Sequence, residues 1–201
     1  NEKMQKLLGD VEKIDTQIAS ASAKDRARLH ERRGDVLEQV AAAAPAGEQR
    51  RQWLAQLADM VSAAVQEGSY PGGVARMQRI ESALARQKAD PELITHFKFR
   101  RLQAENSLRL ADPKADYAKV QAAWLEQLEE FVKEHRDSEH AAEALLQLAM
   151  ASEFSGEEEA AQKWYRQIAK DFPQSPSAAK AKGAITRLTC VGKSISLAGD
   201  S

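Results

Sequence analysis

Only one cysteine, Cys190, occurs in the 201-residue chain. A lone thiol excludes an internal disulfide framework and any cysteine-rich zinc site, and it is compatible with either redox compartment. No apolar run approaches the roughly 18 residues that span a bilayer, and no basic stretch followed by an apolar core marks a leader. The chain therefore reads as soluble, with no membrane insertion. An excess of one charge is lacking as well, since 29 Lys and Arg stand against 30 Asp and Glu. No overall field would drive the chain onto nucleic acid or an anionic surface. β-branched residues are sparse, and no stretch before the last ten residues alternates apolar with polar, so the body is expected to be all α. The chain opens at Asn1 instead of Met, from which an N-terminal piece removed by signal processing or by choice of boundary is expected.

Helical periodicity fills the space these absences leave. Met4, Leu7, Val11, Ile14 and Ile18 recur at steps of three and four, the pattern of an amphipathic helix. Ser22 and Asp25 have the spacing at which a hydroxyl caps a free backbone N–H and a carboxylate meets the positive helix end. The helix that follows, to about Ala43, has a thin apolar face of Leu29, Val36, Leu37 and Val40 beside a charged one. The pair reads as a coiled-coil-like hairpin, weakened at Gly34 by up to ~1 kcal/mol relative to Ala. Pro45 and Gly47 break the pattern. It resumes from Glu48 to Glu67 with Trp53, Leu54, Leu57, Met60, Val61 and Val65 along one stripe, and Gly68 is a fitting stop. After the SYPGG turn come Val74, Met77, Ile80 and Leu84. Asp90-Pro91 then opens a long helix, because Asp caps and Pro suits the first helical position. Asp112-Pro113 precedes the next helix, whose one face carries Tyr117, Val120, Trp124, Leu128, Phe131 and Val132.

A repeat appears when the chain is laid on itself at an offset of 37 residues: Lys133 falls on Lys170, Ser138 on Ser175, Ala141, Ala142 and Ala144 on Ala178, Ala179 and Ala181, Leu148 on Ile185, and Phe131 on Ile168. Such a period marks stacked helical hairpins, each too small to bury its own apolar face. Counted back from Pro173, Leu145, Leu148, Ala149, Ala161 and Tyr165 occupy positions where the tetratricopeptide repeat family keeps large, large, small, small and aromatic residues. The segment from Asp116 to Leu188 resembles that family, departing from it at Ser152 and Ile168. The resemblance implies stacked antiparallel helical hairpins winding as a right-handed superhelix. The expected division is an N-terminal hairpin over 1–45, divergent hairpins over 46–112, repeats over 113–190, and at 191–201 an extended tail or the start of a following domain.

In that last segment Ile195 and Leu197 alternate with Ser194 and Ser196, as at the opening of a β element. Val191-Gly192-Lys193 and the short Ser/Leu stretch after it are similar to the entry into thioredoxin-like domains of bacterial extracytoplasmic redox proteins. This resemblance implies an extracytoplasmic location and a catalytic domain beyond Ser201, whose paired cysteines Cys190 does not match.

Chemistry-bearing groupings are few. Gly192-Lys193-Ser194 fails as a phosphate loop, because Arg187 stands where the loop's first glycine belongs. Glu134, His135, Asp137, Glu139 and His140 fit a solvated turn better than a metal cluster. Glu157, Glu158 and Glu159 suit a helix start, and Cys190, without a basic or resolving neighbour, reads as a small semi-buried residue. Arg86, Lys88, Lys98, Arg100 and Arg101, interleaved with His96, Phe97 and Phe99, form the best nucleic-acid candidate. Phe97 fits its helix's apolar stripe, however, so a solvated helix is the reading and no nucleic-acid partner is expected. Trp53, Trp124 and Trp164 read as core first and peptide anchors second. No catalytic, cofactor-binding or metal-binding residue and no cofactor is nominated. The expected function is a non-enzymatic helical-repeat scaffold for a protein or peptide partner, with a basic partner suggested by the acidic stretch from Glu126 to Glu159. The alternative is the accessory region of a thiol-disulfide oxidoreductase.

Overall fold

The computed structural model describes residues 2–190, and of Cys190 the backbone alone. Among the described residues the chain forms nine α-helices and no strand: α1 (Glu2–Ser20), α2 (Ala23–Ala43), α3 (Glu48–Gln66), α4 (Gly73–Arg86), α5 (Pro91–Ala111), α6 (Tyr117–Glu134), α7 (Glu139–Phe154), α8 (Glu158–Asp171) and α9 (Pro176–Cys190). Short connections make α1 to α5 each a neighbour of the next helix in the chain, and likewise α7 to α9. The chain divides into two compact units, residues 1–124 and 125–201, with the boundary inside α6. The expected strand at Ile195 and Leu197, the Gly192–Ser194 segment and the side chain of Cys190 lie outside the described residues.

In the first unit α1 packs on α2, α2 on α3, and α5 against both α3 and α4. The core is built from Leu57, Val61, Val65, Met77, Ile80, Leu84, Leu93 and Phe97, with Leu37 of α2 joining it. The helix ends follow local chemistry. The Ser22 hydroxyl accepts from the Asp25 N–H at 3.3 Å, and the Asp90 carboxylate accepts from the Glu92 N–H at 3.0 Å. Gly68, at φ 73°, ends α3 with a left-handed residue, its own N–H reaching the Val65 carbonyl while that of Ser69 reaches Ala64. Arg50 closes the preceding helix, its guanidinium donating to the carbonyls of Ala41, Ala42 and Ala44 at the end of α2.

Of the α2 face read in the sequence, Leu37 and Val40 are buried and Leu29 and Val36 only half-buried, and the buried stripe also takes in His30, Gly34 and Ala41. Arg76 of α4, 8 % exposed, lies across Gly34. Its guanidinium donates to Asp35 at 2.6 Å, to the Glu31 carbonyl at 3.0 Å, to the Tyr70 hydroxyl at 3.0 Å and to Glu38. Burial works against the charge, but the bonds to Asp35 and Tyr70 and the field of Glu38 outweigh it and raise the guanidinium's pKa. Any Cβ at position 34 would stand 2.8 Å from Arg76. The glycine that weakens an isolated helix is therefore what admits this buried cation.

In the second unit α7 packs on α8, α8 on α9, and α7 also touches α9. Leu145, Leu148, Ala149, Ala161, Tyr165 and Ile168 are all buried, and the alanines let neighbouring backbones approach. The 37-residue offset is written into the backbone as well. The N–H groups of His135, Ser138 and Ala141 bond to the carbonyls of Phe131, His135 and Ser138, and those of Phe172, Ser175 and Ala178 bond to Ile168, Phe172 and Ser175. Each junction has a serine hydroxyl accepting from the helix it opens, Ser138 from His140 and Ser175 from Ala178, both at 3.2 Å. The copies part where α9 ends the described stack: Ala142 is buried and Ala179 exposed, Leu148 is buried and Ile185 only half so. α9 also runs past Thr189, where the helical pattern fades, to Cys190. The Thr189 hydroxyl holds that last turn by donating to the Ile185 carbonyl at 2.8 Å.

A candidate docking groove on the second unit

Leu146, Met150 and Phe154 stand four residues apart along α7, on a face separate from the buried Leu145, Leu148 and Ala149. Leu146 sits at the base of this stripe, Met150 is 57 % exposed and Phe154 95 %. Lys180, Ala184 and Arg187 of α9 face the stripe, and the two helices bound a groove of about 560 Å³ with Tyr165 in its wall. One polar network fixes the groove. The Tyr165 hydroxyl donates to Glu153 Oε2 at 3.0 Å, and the Arg187 guanidinium donates to both carboxylate oxygens of Glu153, one at 3.0 Å. The bond from Arg187 is the largest effect on the Glu153 carboxyl; burial opposes it, and with the further help of the Tyr165 bond and the Arg187 charge the carboxyl is held below its ordinary range. Burial, helped by the Glu153 charge, pushes the Tyr165 phenol up to about 12. At neutral pH this network is a protonated Tyr and an ion pair that joins α9 to α7.

Other cavities are shaped by packing. In the first unit about 360 Å³ opens over Leu54, Leu84 and Leu93. Its polar rim is spent on helix ends, with Arg51 donating to Asp90 at 2.7 Å and to Glu48, and Arg50 bound to the end of α2. A further space of about 310 Å³ in the second unit lies beside Trp164, whose ring carries Lys163 5.1 Å from its centroid.

The groupings singled out in the sequence are dispersed by the fold. Of the basic set, Arg100 donates to Asp59 at 2.7 Å, and Arg101 donates to Glu81 at 2.8 Å and Glu105 at 2.7 Å. Burial tends to raise the Asp59 pKa, but the hydrogen bonds and fields of His96 and Arg100 lower it below its ordinary value. Phe97 and Phe99 are both fully buried, so neither can serve as a stacking platform, while Arg86 and Lys88 are exposed. The His135 ring lies 4.8 Å from that of Phe131, and His140 Nδ1 is 3.9 Å from Glu143. Trp124 is buried, whereas Trp53 and Trp164 are half-buried. Among the described residues no group of three or more His, Cys, Asp or Glu could hold a metal ion, and no helix is long and apolar enough to cross a membrane.

The groove itself escaped sequence reading. α7 has apolar residues on more than one face, which is the signal that a second surface, besides the core, is being covered or offered. No protein-family profile, curated protein or solved structure gives a significant match to this chain.

Proposed function

We propose that the chain is a non-enzymatic helical-repeat scaffold that docks a segment of another protein along the groove between α7 and α9. The observation that carries this reading is the exposed pair Met150 and Phe154 on an ordered helix beside a second helix wall. Large apolar side chains left out of the core in one groove mark an interaction surface, and methionine adapts its shape to varied partners. Covering Phe154 and Met150 is worth about 1.5–3 kcal/mol each before the costs of association, so these two side chains are the anchors to which a partner's further contacts add. The repeated junctions at Ser138 and Ser175 support a tetratricopeptide-like identity for residues 116–188, in which binding surfaces arise from stacked helices. A peptide array probed with the purified chain tests the reading. Bound peptides should lose about tenfold in affinity for a Met150→Ser, Phe154→Ser variant, and an array with no bound peptide at micromolar concentration counts against it.

The wording Val191-Gly192-Lys193 directly after α9 favours a second reading, in which the scaffold precedes a thioredoxin-like oxidoreductase domain in an extracytoplasmic protein. Sequencing the gene beyond the codon for Ser201 decides it: a downstream domain with paired cysteines supports the reading, and a stop codon removes it.

A further inference from the structure

The charge on the groove defines its occupant more narrowly than its shape does. α9 carries Lys180, Lys182 and Arg187 and no acidic residue, and no Asp or Glu stands anywhere between Asp171 and Asp200. Lys180 and Arg187 line the groove, and of the acidic stretch from Glu126 to Glu159 only Glu153 does so. That carboxylate is already held by the Arg187 guanidinium and the Tyr165 hydroxyl. Lys180 is exposed, and it forms no ion pair among the described residues. One wall is therefore apolar, Leu146 to Phe154, and the other carries the uncompensated positive charge of Lys180. From Leu146 to Phe154 the stripe rises about 12 Å along the helix, which matches two turns of a helix laid beside it.

We infer that the occupant is an acidic amphipathic helix from a partner protein. Its apolar face, repeating at three and four residues, covers Met150 and Phe154, and its carboxylates face Lys180. Apolar anchors supply affinity and the charged wall selects sign and register. A basic segment, the partner suggested by the acidic stretch, would bring like charges against Lys180. This inference rests on the groove being a docking site.

Fluorescence polarisation with two fluorescein-labelled amphipathic peptides separates the two claims. Both carry leucine at helical spacing; one has glutamate and the other lysine at the remaining positions. The glutamate peptide should bind the full chain about tenfold more tightly than the lysine peptide, and more weakly as salt rises. Lys180→Glu should abolish or reverse that preference, and Met150→Ser, Phe154→Ser should weaken both peptides by about tenfold. All three positions are at the surface, and an unchanged helical circular dichroism spectrum confirms folding. Equal or tighter binding of the lysine peptide, still weakened by the Met150 and Phe154 substitutions, overturns the charge assignment and leaves the docking groove standing. Binding indifferent to those two substitutions, or no binding of either peptide at roughly millimolar concentration, overturns both.

Discussion

Lys88 follows α4 with a backbone φ of 52°, the one positive value outside glycine among the described residues. It occupies the place that Gly68 fills after α3: the Lys88 N–H bonds to the Ala85 carbonyl and that of Ala89 to Leu84. A side chain in this left-handed region is unfavourable by about 1 kcal/mol. Lys88→Gly is expected to stabilise the first unit by about 0.5–1 kcal/mol, and calorimetry would register this as a melting temperature raised by a few degrees. Gly34 has the opposite logic. Alanine would improve helix propensity by up to about 1 kcal/mol, yet its Cβ would strike the Arg76 guanidinium, which four partners hold in place. Gly34→Ala should therefore destabilise the chain, by about 1–3 kcal/mol. In a background where Arg76 is replaced by Ala, the same change should become neutral or stabilising, and urea denaturation of the four species checks the reversal. The sequence showed the glycine and its local cost; it could not show the arginine 42 positions away that requires it.

Among the elements, the contact of α7 with α9 depends on Glu153 meeting Arg187, with Tyr165 of α8 closing the set. Because the Glu153 pKa is lowered in the folded chain, the stabilisation is fully present above the carboxyl's unfolded value and is lost as pH falls through the lower folded value. Glu153→Gln should thus melt earlier than the parent at neutral pH, with the gap closing as pH falls through the carboxylate range; a gap independent of pH would contradict the assignment. Element boundaries were the part most open to sequence reading, since Ser22, Gly68, Asp90-Pro91 and the Ser138 and Ser175 junctions act through bonds a few residues long. The face each helix turns inward was legible where one stripe was strongly apolar, as for Leu57, Val61 and Val65. For α2 it was legible only in part: Leu37 and Val40 go inside as read, but the stripe also takes in a histidine and the glycine that lies against Arg76. The groove was missed for a related reason. The rule that apolar side chains go inside assigns Met150 and Phe154 to a core, and only the fold reveals which apolar residues are left over.

On the scale of the whole molecule, each unit has its own buried centre: Leu57 and Phe97 in the first, Leu145 and Ile168 in the second. Leu57→Ala and Leu145→Ala should each cost about 2–5 kcal/mol. Hydrogen exchange should locate the loss of protection first in α3 to α5 for the one and in α7 to α9 for the other. An equal loss across both units would mean that the centres melt as one. The paired junctions of the second unit carry a different consequence. Since α6 enters its turn at His135 as α8 does at Phe172, and α7 leaves at Glu139 as α9 does at Pro176, the segment from 135 to 171 is a cassette with interchangeable ends. Excising it would deliver α6 straight into α9 through a turn closed by the same serine and the same three backbone bonds. Inserting a second copy would do the same in reverse, so the chain's length can change by whole repeats without the invention of a new joint.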